Sequence, residues 1–156
     1  MRRVPLDETF EDWDGLLALI LSAFASMHGR IDPPSSALSL TPQSLRQKAM
    51  AERAVALAEG DRLLGCIFCK PEPPDGLYIG KLAVTPEAQG KGIGRALLRV
   101  AEEEAALRGF SWLRLETRIE LEENHRAFAR WGFERSRDGT HPGFARPTYV
   151  EMRKEL

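Results

Sequence analysis

Cysteine is scarce in this sequence, which has two cysteines among its 156 residues. Two cysteines cannot build the disulfide framework that holds small secreted domains together, and they fit a reducing compartment. No apolar stretch approaches the roughly 18–20 residues of a membrane span. The opening MRRVPLDETFEDWDG has an acidic run where a signal peptide needs its apolar segment. We therefore expect a cytoplasmic protein that does not associate with membranes.

An excess of charge of either sign is also missing. The chain has 22 Lys and Arg against 23 Asp and Glu, which gives a net charge of −1. A general nucleic-acid binder shows a clustered basic excess, and a disordered chain has a low apolar fraction, whereas 43% of these residues are hydrophobic. At roughly 100–200 residues per domain, we expect residues 1–156 to form a single folded domain without a nucleic-acid partner.

The hydrophobic pattern predicts helices and strands in a definite order. Apolar residues from Glu11 to about Met27 follow the spacing of an amphipathic helix, and Thr41 is placed to cap a second helix. Two strand-like runs then flank the turn at residues 59–61. A strand–helix–strand crossover follows, from LYIGKLAVT to FSWLRLETR. Antiparallel strands before such a crossover indicate the α+β class, with a mixed β-sheet flanked by helices.

The stretch KLAVTPEAQGKGIGRALLRVAEEEA, residues 81–105, carries the clearest functional signal. Its pattern predicts a strand, a turn with glycines at 90, 92 and 94, and a long helix. Glycine leaves the backbone free to turn its amides toward one point, and a helix N-terminus favours an anion, above all a phosphate. Lys91 and Arg95 add positive charge to this turn. We therefore expect the turn to bind a phosphate-bearing ligand.

Two other phosphate-binding motifs fit this turn less well. A Walker loop requires Gly-Lys followed by Ser or Thr, whereas Gly92 follows Lys91 here. A dinucleotide fingerprint needs GxGxxG directly after a strand, and the pattern here is GxGxG, which begins beyond Pro86. Glu116 could imitate the ribose-binding acid of that fold. A nicotinamide or other nucleotide-binding domain therefore remains the weaker alternative.

The run from Gln89 to Gly94 resembles the R/Q-x-x-G-x-G/A motif of the GNAT acyl-CoA N-acyltransferase superfamily. Trp131-Gly132-Phe133 is similar to the x-G-F sequence with which the last helix of that family leads into its penultimate strand. The resemblance implies a mixed, splayed β-sheet with acyl-CoA in its V-shaped gap. It also implies direct acetyl transfer from acetyl-CoA to a primary amine on a small molecule or protein, without a metal, and a possible homodimer. The alternative is a non-catalytic acyl-CoA-binding sensor or regulatory module of the same fold.

The same resemblance assigns residues to the donor. The pantetheine arm would pair with the backbone of Leu82, Ala83 and Val84, and the Val84 amide would polarise the thioester carbonyl. Asn124 would contact the pantetheine or amine region, or would instead cap its own helix. The pyrophosphate would lie on the backbone of the turn residues Gln89, Gly90, Lys91, Gly92, Gly94 and Arg95.

The usual acid of this family is missing from its position. Many members have a tyrosine where this chain has Phe128, and that tyrosine protonates the departing thiolate. A phenyl ring has no proton to give, and the chain has only two tyrosines, Tyr78 and Tyr149. We take Tyr149 as the candidate acid, although a thiol with a pKa of about 8.5 is also a tolerable leaving group without one.

The acceptor amine must lose a proton before it attacks, because an ammonium has no lone pair. Glu116 could point into the gap from its strand, although an ion pair with a neighbouring arginine is the alternative. His28 follows the first helix, beside a loop that shapes the acceptor pocket in the resembled family. Glu116 and His28 are therefore the candidate bases, with His125 and His141 behind them.

The chemical class of the acceptor does not follow from the sequence. The two loops expected to line its pocket, residues 28–41 and 138–147, mix small, polar and proline residues without a dominant charge. An acidic lining would have indicated a polyamine, and a basic lining an anionic substrate.

Cys66 and Cys69 have the CxxC spacing of some zinc sites. Residues i and i+3 of a strand face opposite sides, however, and the chain has neither a second such pair nor paired histidines. We therefore expect no metal site, and two cysteines that are small buried hydrophobic residues.

Overall fold

Seven β-strands and four α-helices build the protein in the computed structural model, which describes residues 1–156. The helices are α1 (Trp13–Phe24), α2 (Pro42–Ala51), α3 (Ile93–Leu107) and α4 (Glu122–Arg130). None of them is both long and apolar enough to cross a membrane. The strands are β1 (Arg2–Pro5), β2 (Arg53–Glu59), β3 (Arg62–Glu72), β4 (Gly76–Val84), β5 (Trp112–Arg118), β6 (Glu134–Gly139) and β7 (Tyr149–Glu155).

The strands form one sheet in the order β1-β2-β3-β4-β5-β7-β6. Pairing is antiparallel throughout except between β4 and β5, which are parallel and joined by α3. The predicted α+β class with a mixed sheet is therefore confirmed.

Apolar clusters cover both faces of the sheet. α3 packs on one face, where Leu97 is fully buried, and α1 and α2 cover the other face, where Leu16 is fully buried. β3 contributes to both clusters because successive side chains of a strand alternate. Cys69 lies in the α3 cluster and Cys66 in the other, so the two cysteines face opposite sides as predicted. Burial raises the pKa of each thiol to about 12.

Local side-chain bonds set the helix ends. The Thr41 hydroxyl accepts from the Ser44 amide at 3.0 Å, and the Ser44 hydroxyl accepts from the Thr41 amide at 2.9 Å, so the predicted cap of α2 is confirmed. α1 ends at Phe24, and a single tighter turn continues to Met27, the predicted end of that helix.

The sheet opens between β4 and β5. Their pairing covers four residue pairs, from Gly76 opposite Trp112 to Ile79 opposite Leu115. Beyond Ile79, β4 pairs with β3 alone, and beyond Leu115, β5 pairs with β7 alone. A register shift leaves Gly80 without a partner on β3, and a bulge of this kind bends its strand. The predicted splayed sheet is therefore confirmed, with a V-shaped gap between the two strand ends.

Trp112 occupies the closed end of this gap. Its Nε1 donates to Asp75 Oδ1 at 3.1 Å, and the Arg153 guanidinium lies 4.1 Å from the ring centroid. A Cβ atom at Gly76 would overlap the indole ring. The short β4–β5 pairing therefore depends on glycine at this position.

We predict that Gly76→Ala lowers the free energy of unfolding by about 1–3 kcal/mol, the usual cost of overpacking, because the Trp112 ring must move. Urea denaturation monitored by tryptophan fluorescence measures this change. Gly80→Ala is the matched control on the same strand, since the nearest atom to its new Cβ, Lys48 Nζ, would lie at 3.5 Å. Equal losses of stability in the two variants would contradict the prediction.

Candidate active site

Two cavities adjoin each other at the gap between β4 and β5. The glycine cavity, of about 420 Å³, is lined by the outer half of β4 and by the turn that contains Gly90, Gly92 and Gly94. The tyrosine cavity, of about 310 Å³, is lined by the β4 bulge, by the end of β5 and by Tyr78 and Tyr149. The two cavities share six lining residues, namely Phe24, Met27, Leu82, Leu121, Asn124 and Phe128.

The turn before α3 needs glycine at two of its three positions. Gly90 has a φ of +77° and Gly92 a φ of +82°, in the left-handed region that favours glycine. Gly94 has no such constraint, and a Cβ there would lie 3.5 Å from the Trp131 ring. No side chain caps the start of α3, so the amides of its first turn remain available to an anion.

The outer half of β4 directs a backbone amide into the glycine cavity. The Thr85 amide donates to the Leu64 carbonyl on the β3 side at 2.9 Å, and peptide groups alternate in direction along a strand. The Val84 amide therefore points the other way, where no strand pairs with it. On that same side, Gln89 donates from Nε2 to the Val84 carbonyl at 3.1 Å and ties the turn to the strand.

Two arginines line the glycine cavity, and each is ion-paired with a carboxylate. Arg95 pairs with Glu102 at 3.1 Å. Arg30, which sequence reasoning missed, lines the cavity from the loop after α1 and pairs with Glu123 at 2.7 Å. Lys91 is exposed and lines neither cavity. Its predicted contribution of a backbone amide to the turn stays a prediction.

Asn124 and Phe128 of α4 lie where the two cavities meet. Phe128 packs edge-on against Trp131 and Phe133, with ring centroids 5.8 Å apart in both pairs, so the apolar core holds its ring in place. Asn124 donates from Nδ2 to the Thr117 hydroxyl at 3.4 Å. It does not cap α4, which begins without a side-chain cap. Asn124 is therefore a cavity residue rather than a helix cap.

Glu116 lines the tyrosine cavity within a network of ion pairs. Its carboxylate accepts from Arg114 Nη1 at 2.9 Å, so the ion pair considered from the sequence is present. Arg114 also pairs with Glu72 at 2.8 Å and with Glu151 at 3.1 Å. One guanidinium thus holds three carboxylates, and the bonds to Glu72 and then Glu116 raise the pKa of Arg114.

Both tyrosines line the tyrosine cavity, together with His141. Burial, followed by the nearby Glu116 carboxylate, raises the pKa of Tyr78 to about 12, so its hydroxyl is protonated at neutral pH. His141 contacts Tyr149 edge-on at 5.3 Å and bonds through Nδ1 to the Thr148 hydroxyl. Burial, followed by nearby Arg118, lowers the pKa of His141 from its usual value. This shift favours the uncharged imidazole.

His28 lies outside both cavities. It is exposed, and it ends the short turn after α1, while its neighbour Met27 lines both cavities instead. This placement gives no support to His28 as a base. His125 also stands apart, because its Nε2 bonds to the Arg118 carbonyl at 2.9 Å. No three side chains of His, Cys, Asp or Glu converge on a point that could hold a metal ion.

Comparisons with known proteins identify the family and agree with the fold. A family model described as the acetyltransferase (GNAT) family matches residues 14–133. No curated protein sequence matches the chain.

Solved structures resemble the chain over almost its whole length. The PaiA N-acetyltransferase of Thermoplasma acidophilum, solved in complex with coenzyme A, is 17% identical with a TM-score of 0.82 and 100% coverage of both chains. An aminoglycoside 6′-N-acetyltransferase complexed with coenzyme A is 17% identical, with a TM-score of 0.79 and coverage of 99% of this chain and 97% of that one. A GNAT family acetyltransferase from Elizabethkingia anophelis with acetyl-CoA bound is 17% identical, with a TM-score of 0.70 and the same coverage.

Identities this low show the fold alone, whereas the family model matches well over half of the sequence and includes the glycine turn. The chain therefore belongs to the acetyltransferase (GNAT) family.

Proposed function

We propose that this protein transfers an acetyl group from acetyl-CoA directly to a primary amine. One observation carries the proposal: the glycine cavity, which ends at an uncapped helix start, adjoins the tyrosine cavity at Leu82, Asn124 and Phe128. A donor in the first cavity and an acceptor in the second would meet at this junction. A non-catalytic acyl-CoA sensor is not favoured, because it has no need for the second cavity.

The residues of the glycine cavity suit an acyl-CoA donor. The pyrophosphate would lie on the backbone amides from Gln89 to Arg95, where the uncapped start of α3 favours an anion, beside the ion-paired Arg30 and Arg95. The pantetheine arm would run along the unpaired side of residues 82–84, beside Asn124. Acetyl-CoA would supply the thioester, and the chain supplies its orientation.

In the transfer, the amine nitrogen forms a bond to the thioester carbonyl carbon, and the carbon–sulfur bond breaks. The Val84 amide is positioned to donate to the carbonyl oxygen as it gains negative charge. One preorganised donor of this kind is commonly worth a few kcal/mol of barrier. Tyr149 supplies a hydroxyl that could protonate the departing thiolate, since Phe128 at the junction has no proton to give.

Two groups in the tyrosine cavity are placed to take the proton of the acceptor. Glu116 is held by Arg114 and offers an ionised carboxylate to an incoming ammonium. The lowered pKa of His141 favours its uncharged form, and the bond to Thr148 at Nδ1 leaves Nε2 without a hydrogen-bond partner. Because Glu116 is tied to Arg114 whereas His141 Nε2 has no partner, we assign proton removal to His141 and orientation of the amine to Glu116.

The first test is calorimetric titration with acetyl-CoA, with NAD as the control ligand, followed by a thiol-release assay against varied primary amines. Micromolar binding of acetyl-CoA without a signal from NAD, together with amine-dependent thiol release, is the expected result. Binding without release by any amine would contradict catalysis and favour a sensor. Tight binding of NAD would overturn the proposal altogether.

We predict that Gly92→Asp weakens acetyl-CoA binding at least tenfold, because it places a carboxylate beside the amides expected to hold the pyrophosphate. Gly60→Asp is the matched control: Gly60 has a φ of +59° against +82° at Gly92, and neither has an atom within 4 Å of its would-be Cβ. Both variants introduce the same charge and similar backbone strain. Calorimetry on both should show a loss of affinity in Gly92→Asp alone, and equal losses would refute the assigned phosphate site.

We predict that kcat at saturating substrates falls as the solution becomes acidic, at a lower pH than an ordinary histidine would give, because the lowered pKa keeps His141 uncharged until the solution is more acidic. His141→Gln should reduce kcat by about 10²-fold, the lower range for loss of a general base, and should abolish the acidic fall. The KM for acetyl-CoA should not change. If Glu116→Gln flattens the pH profile and His141→Gln does not, the base is Glu116 instead.

A further inference from the structure

Two cations line the tyrosine cavity without a carboxylate partner. Lys81 reaches it from β4 and Arg118 from the end of β5, on the two sides of the gap. The Lys81 Nζ donates to the Ser36 hydroxyl at 3.3 Å. The Arg118 guanidinium donates to the backbone carbonyls of Pro33 and Pro34. Both cations are thus held by neutral oxygen atoms.

The nearby carboxylates form their ion pairs with other cations, and none of them lies within ion-pairing distance of Lys81 or Arg118. The pairs are Glu116 with Arg114 at 2.9 Å, Asp32 with Arg146 at 3.2 Å, Glu120 with Arg146 at 3.9 Å and Glu52 with Lys48 at 2.6 Å.

Lys81 and Arg118 retain hydrogen-bonding capacity for a ligand. An ammonium has three N–H donors and a guanidinium five, and the bonds described use one on Lys81 and two on Arg118. Burial lowers the pKa of both groups, and for Lys81 the nearby Lys48 lowers it further, while Glu52 acts on Lys81 and Glu120 and Asp32 act on Arg118 in the opposite direction. Partly buried cations without a directly paired counter-charge are unfavourable, and an anion bound between them would reduce that cost.

We propose that the acceptor amine carries an anionic group, a carboxylate or a phosphate, which binds between Lys81 and Arg118. The inference rests on the proposed function and names the substrate class of the same site. A cavity of about 310 Å³ is at the small end of ligand pockets, so the acceptor is a small molecule. Polycationic amines are disfavoured, because their additional ammonium groups would meet two unpaired cations.

Pairs of acceptors that differ by one charge test this inference. L-Phenylalanine against L-phenylalaninamide and β-alanine against β-alaninamide provide the carboxylate arm. O-Phosphoethanolamine against ethanolamine provides the phosphate arm, and spermidine and kanamycin serve as polycations. Thiol release gives kcat/KM for each compound, and calorimetry on the protein saturated with CoA measures binding independently of turnover.

At least one anionic probe should bind or react at least tenfold better than its neutral partner. The pair of compounds that shows this preference identifies the anionic group of the acceptor as a carboxylate or a phosphate. Lys81→Gln should reduce kcat/KM for that probe at least tenfold through KM, with the KM of acetyl-CoA unchanged. Lys81→Arg should restore most of the preference. Lys70→Gln is the matched control, because Lys70 is an exposed lysine of β3 that lines neither cavity.

The inference is overturned if neutral or polycationic amines are preferred, if no anionic probe binds, or if Lys81→Gln leaves the preference for the anionic partner unchanged. The proposed function survives these outcomes whenever acetyl-CoA binds and any amine is acetylated. Failure to bind acetyl-CoA overturns both.

Discussion

The early end of the pairing between β4 and β5 is the constraint on which the site depends. If the two strands stayed paired beyond Ile79 and Leu115, the outer amides of β4 would be bonded to β5 and neither cavity would have room. The bulge at Gly80 bends β4 where the pairing stops, and Trp112 packed on Gly76 secures the end that remains closed. A backbone amide without a partner is unfavourable unless water or a ligand satisfies it. The fold therefore presents an open strand edge to the pantetheine arm that we propose pairs there.

The two cavities differ in the groups that line them. The glycine cavity presents backbone groups, since an anion there would meet the amides of the turn and of the start of α3, beside the ion-paired Arg30 and Arg95. The tyrosine cavity is lined by side chains from several elements, and the ion pairs of Arg114 hold one of these side chains, Glu116, in place. By holding Glu116 and Glu151 together, Arg114 joins β5 to β7 and orients the carboxylate that faces the cavity. The same interactions thus support the sheet and position the Glu116 carboxylate, to which we assign orientation of the amine.

This difference explains what the sequence could predict. The glycine turn is contiguous in the chain, and its requirement for positive φ at Gly90 and Gly92 is local, so a short motif was enough to find it. The helix cap at Thr41 and the opposed cysteines of β3 also depend on local geometry. Whether Arg30 and Lys81 line a cavity depends instead on how the splayed strands and the loop after α1 come together in space. No local sequence pattern indicates that arrangement. In the short turn after α1, Met27 faces the two cavities, whereas its neighbour His28 is exposed to solvent.

The loops around the tyrosine cavity have no dominant charge, and from the sequence alone they left the acceptor open. In the structure, the residues that bear on the acceptor lie on strands rather than in these loops, because the unpaired cations of the cavity project from β4 and β5. Lys81 is adjacent along the chain to the residues expected to hold the donor, yet its side chain lines the tyrosine cavity, where we propose that the acceptor binds. A substitution at Lys81 would therefore change that cavity and leave the backbone of the glycine turn in place. Under the proposed function, acceptor specificity can consequently vary without loss of the donor site, because side chains determine the one and backbone amides the other.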